Sequence, residues 1–176
     1  MPEKSYLVLT AVGPDRPGLV NEIARVVLDA GANLEDSRMA ILGGEFALLV
    51  LVSGPPQATA AIEAQAAALG NRLGLRILIK STSAERAVRD FLPYHLRVSG
   101  VDRPGIVQRV AAVLAKRGVN VASLESRLSY APLSGTPMFV LEAELQIPSA
   151  LALSELRREL SATCDDENLD CVLESG

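Results

Sequence analysis

Residues 13–34 (GPDRPGLVNEIARVVLDAGANL) recur as residues 100–121 (GVDRPGIVQRVAAVLAKRGVNV), 87 positions later and without a gap. Ten of the 22 aligned positions are identical, and half of the others exchange one aliphatic residue for another. Self-similarity at a fixed offset is the signature of a duplicated structural unit. The chain of 176 residues therefore reads as two modules, 1–82 and 93–176, joined by a linker at 83–92. The segment STSAERAVRDFLP across that boundary is polar and closes on Pro93. Modules of roughly 85 residues bury a modest share of their surface, so each gains from packing on a neighbour.

The two copies carry the same succession of patterns. Each opens on a strand, Tyr6–Val12 and Tyr94–Val98. A turn holding Asp-Arg-Pro-Gly follows. Pro17 and Pro104 suit the first helical position, where a missing N–H costs nothing, and Asp15 and Asp102 suit the cap. Leu19, Val20, Ile23, Ala24, Val27 and Ala30, with Ile106, Val107, Val110, Ala111 and Leu114 in the second copy, then recur at helical spacing. Gly31 and Gly118 stop the helices. Strands at 33–42 and 45–53 are joined by Gly43-Gly44, a tight hairpin signal. Their counterparts at 119–130 and 136–147 have a longer loop. Weakly amphipathic helices at 56–70 and 149–163 lead to final strands at 75–80 and 169–173. The order β-α-β-β-α-β, twice, predicts an α+β chain of two ferredoxin-like modules, each an antiparallel sheet with both helices on one face.

Composition narrows the function. Lys and Arg number 17 against 21 Asp and Glu, a net charge of −4 with no basic half. Direct nucleic-acid binding rests on clustered positive charge, and none is expected here. Six aromatic residues and no Trp make a base-stacking platform a poor fit. The longest apolar run, Phe46–Val52, is far short of a membrane span, and MPEKSYLVLT lacks the pattern of a secretory leader. A soluble cytoplasmic protein without a membrane partner is expected.

No catalytic set emerges. His95 is the single histidine, which removes His-based triads and multi-His metal sites within one chain. Cys164 and Cys171 are too few for a metal site or a disulfide scaffold, although a regulatory disulfide between them is conceivable. Asp165, Asp166 and Glu167 lack the alternating spacing of a calcium loop. There is no phosphate-binding glycine motif. Neither enzyme activity, nor metal, nor cofactor is expected.

The repeated D-R-P-G turn supports two readings. One is structural: cap, helix start and flexible turn. The other is a ligand site, because a helix N-terminus presents free N–H groups to a carboxylate and an Asp side chain accepts an ammonium group. Asn33 and Asn120, opening the second strand of each copy, could lie beside the turn and offer an amide that donates and accepts; they also fit a simple helix stop.

Strand, D-R-P-G, amphipathic helix, G-x-N and hairpin, in this order and twice over, resemble the ACT domain, a module that senses small molecules. The resemblance covers nearly the whole chain. It implies modules that pair side by side and an amino acid held between the βα turn of one module and its neighbour. Carried onto this sequence, the ligand contacts are Asp15, Arg16, Gly18, Leu19 and Asn33, with Asp102, Arg103, Gly105, Ile106 and Asn120 in the second copy. The stretches NLEDSR at 33–38 and GEF at 44–46 further resemble a group of two-module transcription regulators. That likeness implies a non-enzymatic regulator with glycine as the favoured ligand and a LysR-type transcription activator as the protein partner. The alternative is a detached amino-acid-binding subunit of a metabolic enzyme. Open sheet edges and helix faces leave room for a homodimer, and the loop Ser129–Pro137 is a candidate partner surface.

Overall fold

The computed structural model describes residues 4–83 and 90–176, which fall into two compact units, Met1–Ala87 and Val88–Gly176. Of the expected linker, residues 84–89 lie outside the described residues.

In the first unit β1 (Ser5–Pro14) leads to α1 (Leu19–Asp29), β2 (Asn33–Leu42), β3 (Glu45–Gly54), α2 (Pro56–Leu73) and β4 (Arg76–Thr82). The second repeats the order as β5 (Phe91–Val101), α3 (Ile106–Lys116), β6 (Asn120–Tyr130), β7 (Pro137–Pro148), α4 (Leu153–Asp165) and β8 (Leu169–Ser175). Both sheets are antiparallel, ordered β2-β3-β1-β4 and β6-β7-β5-β8. These are the two βαββαβ modules that the repeat predicts.

Alternation sets the layers. On β1, Leu7, Leu9 and Ala11 are buried while Tyr6, Val8 and Thr10 point the other way, half-buried. The buried set meets Leu19, Ile23 and Val27 of α1 and Ile62, Leu69 and Leu73 of α2 in one apolar cluster. Leu96, Val98 and Leu141 do the same beneath Ile106, Val110, Leu156 and Leu160. Each helix thus hides one stripe, and the sheet face away from the helices stays open.

Several boundaries shift. β5 starts at Phe91, inside the expected linker. α4 starts four residues after the expected 149, because Leu151 N–H donates to Pro148 O and closes a turn first. The largest departure is at the D-R-P-G turn. Neither Asp15 nor Asp102 caps a helix, and neither Pro17 nor Pro104 is the first helical residue. The helices begin at Leu19 and Ile106. The cap positions are Gly18 and Gly105, at φ 94° and 95°, with no side-chain cap bond. That left-handed backbone is open to glycine at little cost and strained for other residues. The turn occupies the residues assigned to the cap, so the aspartates fall too early to reach the helix start.

Candidate functional site

The first turn builds a cleft. Asp15 N–H donates to Gly44 O at 3.1 Å, which ties the end of β1 to the β2–β3 hairpin. With its backbone so engaged and its side chain free of capping, Asp15 presents an exposed carboxylate. The N–H groups of Leu19, Val20 and Asn21 open α1 and have no carbonyl four residues back within the helix. Asp15, Arg16, Gly18, Leu19, Met39 and Phe46 help line the resulting space of about 480 Å³. Leu19 contributes its backbone, since its side chain is buried. Met39, on the edge strand β2, supplies an apolar wall. A Cβ at Gly18 would meet nothing nearer than Glu22 Oε1, 4.0 Å away. Arg16 Nη1 pairs with Glu22 at 2.8 Å. The Asp15 carboxylate and a row of unpaired backbone donors therefore share one small open space, with the Arg16–Glu22 ion pair beside Gly18.

The second turn has the same backbone and a different occupant. Arg109 stands where the first copy has Glu22. Its guanidinium folds back over Gly105: Nη2 donates to Pro104 O at 3.1 Å, and Nε lies 3.0 Å from Glu167 Oε1. A Cβ at Gly105 would come within 3.3 Å of Nη2. Asp102 and Arg103 remain exposed beside it, and Ile106 is buried in the core. Sequence reasoning passed over Glu22 and Arg109, although the aligned repeat already shows acid against base at that position.

The asparagines are not beside the turns. Asn33 pairs with Ser53 at one end of β3, whereas the Asp15 turn follows the Pro14–Glu45 pair at the other. Eight residues of strand separate them, about 26 Å. Antiparallel order makes this unavoidable, because α1 carries the chain back to the start of β1 before β2 begins. Asn33 lines a separate cleft with Lys4, Ser53 and Pro55. Asn120 is likewise opposite Gln146, and its Nδ2 donates to Gln146 Oε1 at 2.8 Å.

Residues 5–80 and residues 94–160 each match the ACT domain. The chain belongs to the ACT-domain family. It is 33% identical over 163 residues to the glycine cleavage system transcriptional repressor of Escherichia coli (strain K12), covering 93% of this chain and 86% of that one. A crystal structure of an unknown protein from Galdieria sulphuraria superposes with a TM-score of 0.82 at 34% identity, covering 99% of both chains. A second crystal structure, assigned to a glycine cleavage system transcriptional repressor, gives 0.73 at 32% identity, covering 97% of this chain and 96% of that one.

In the first ACT module the Asn33 end has its own polar cluster. Glu35 sits in the register shift between Leu34 and Asp36. Buried Ser53 donates its hydroxyl to Glu35, and Lys4 Nζ lies 3.1 Å away. The Ser53 hydrogen bond first, then Lys4, hold the Glu35 carboxyl below its ordinary value of 4.5. A depressed folded pKa contributes stability above the unfolded value and loses it as pH falls through the folded one. Glu35 is therefore expected to titrate below its ordinary value of 4.5 in a carboxyl NMR titration, and Ser53→Ala to move its midpoint up. An unchanged midpoint in that variant removes the hydroxyl as the cause. Among the described residues no cluster of three or more His, Cys, Asp or Glu is placed to hold a metal, and no helix is long and apolar enough to cross a membrane.

Proposed function

We propose that this ACT protein is a non-enzymatic, cytoplasmic amino-acid sensor that regulates transcription, with glycine as ligand and a LysR-type activator as partner. The observation that carries the reading is the first-turn cleft. A zwitterion fits it in one sense: ammonium toward the Asp15 carboxylate, carboxylate toward the N–H groups that open α1. The open space over Gly18 leaves the backbone within reach of the ligand. The relative from Escherichia coli, matched across both modules, supports the regulatory output and the choice of glycine. Asn33 and Asn120 stand apart from the turns of their own modules, so they would meet a ligand only at a neighbouring module.

Regulation then follows from linkage. Glycine shifts the protein between states with high and low affinity for the activator by no more than its own difference in affinity for them, about 1–3 kcal/mol in typical cases. The acidic net charge fits an output through protein contact, with no direct hold on DNA.

Isothermal titration calorimetry of the full chain tests the ligand, with serine and alanine as comparators. Selective glycine binding is expected, with Asp15→Ala weakening it about tenfold or more, as loss of a charged hydrogen bond does. Equal affinity of wild type and Asp15→Ala moves the site elsewhere. Pull-down of a LysR-type activator, released by glycine, tests the output. Recovery of a metabolic enzyme in its place would support the regulatory-subunit alternative.

A further inference from the structure

The duplication supplies an internal control for the two open sheet faces. The same register positions carry opposite chemistry. On the first strand of each module Val8 and Thr10 correspond to His95 and Arg97. On the neighbouring strand Leu51 and Leu49, which pair with Val8 and Thr10, correspond to Glu144 and Glu142, which pair with His95 and Arg97. The second sheet's face is laced with ion pairs: Arg97 and Arg127 both reach Glu142, at 3.1 and 3.4 Å. That face is built for water. The first sheet's face is not. Leu49 is 46% exposed and Leu78, across from Thr10 on the other side, is 69% exposed. Charge is confined to its margins, with Asp36 and Arg38 on β2 and Arg76 and Lys80 on β4.

We infer that the open face of the first sheet is a self-association surface, covered by the same face of a second copy of this chain. Size supports that occupant. Four strands about 4.8 Å apart and about ten residues long present roughly 600 Å². Two copies laid face to face bury roughly 1,200 Å², which reaches the lower range of specific interfaces. Sheets pack in this way about 10 Å apart, with apolar side chains interdigitating. An apolar centre with a charged margin matches its own copy about a twofold axis parallel to the strands. That axis lays the β2 margin over the β4 margin of the second copy, so Asp36 approaches Lys80, which shares its register row, while the centre stays dry. A solvated face with this chemistry would be a large exposed apolar patch for a monomer.

The test transplants the second module's solution onto the first. Thr10→Arg with Leu49→Glu recreates the Arg97–Glu142 pair at its equivalent position. Sedimentation equilibrium of the full chain is expected to give twice the 18.6-kDa chain mass for wild type at micromolar concentration. The double variant is expected to dissociate at least a hundredfold more readily, with its thermal midpoint by circular dichroism retained. Val172→Glu, on the charged face, is expected to leave the dimer intact. A wild type still monomeric at about 100 µM, roughly a hundredfold above a micromolar dissociation constant, overturns the inference, and so does a dimer that the double variant leaves unchanged. If the double variant fails to fold, dilution of wild type decides. Methyl NMR signals of Val8, Leu49 and Leu51 are expected to shift on dilution, and fixed signals overturn the inference equally.

Discussion

Leu9→Ala is expected to lower the unfolding free energy of the first unit by about 2–5 kcal/mol, the range for a buried leucine that leaves a cavity behind. Leu9 is fully buried at the middle of β1. Its register partners are Val50 on β3 and Ile79 on β4, so it stands in the centre of the sheet beneath both helices. Neither neighbouring strand can close inward without breaking a ladder, which keeps the cavity open. A loss of this size is a large fraction of the 5–15 kcal/mol that holds a small domain. The duplication provides a second instance: Leu96, 87 positions later, is equally buried between Ala143 and Leu173. Urea unfolding followed by NMR signals from each unit reads both variants. Val172→Ala, on the charged open face of the second sheet, is expected to change stability by less than about 1 kcal/mol. Losses below 1 kcal/mol at both Leu9 and Leu96 contradict the packing described.

The fold was legible because two independent signals agreed. Period-two alternation on Tyr6–Val12 and helical spacing on Leu19–Val27 each recur in the second copy, and a chance pattern does not repeat in register. The Gly43-Gly44 turn was readable for the same reason, since both residues adopt positive φ. What the sequence left hidden was placement across the sheet. Asn33 lies 18 residues from Asp15 in sequence and looks near it, but antiparallel order sends it to the far end. The helix start was misplaced because Asp, Pro and Gly all carry start signals, and only the left-handed backbone of Gly18 decides among them. The contrast between Leu49 and Glu142 was present in the sequence too. Without the strand register it could not be known that these positions share a face.

Substitutions at positions 22 and 109 are expected to exchange the openness of the two turns. Glu22→Arg places a guanidinium where Arg109 already shows its preferred course, back over the glycine to the proline carbonyl. In the first turn that course crosses the space beside Gly18 and brings positive charge against the approaching ammonium group. It also removes the carboxylate partner of Arg16, leaving that guanidinium free to pair with Asp15. Three effects therefore act in one direction, and glycine affinity is expected to fall by a hundredfold or more, about 2.7 kcal/mol. The wild-type chain is correspondingly expected to bind one glycine per chain, at the first turn, because the second is covered. Arg109→Ala uncovers Gly105 and is expected to raise the stoichiometry toward two, with new NMR shifts at Gly105 and Ile106. The fold is not at stake in either variant, since Glu22 and Arg109 lie outside the buried cores. Calorimetry returning two sites in wild type would show that the arginine yields to the ligand. Full affinity in Glu22→Arg would place the ligand away from the first turn, and with it the role assigned to Asp15.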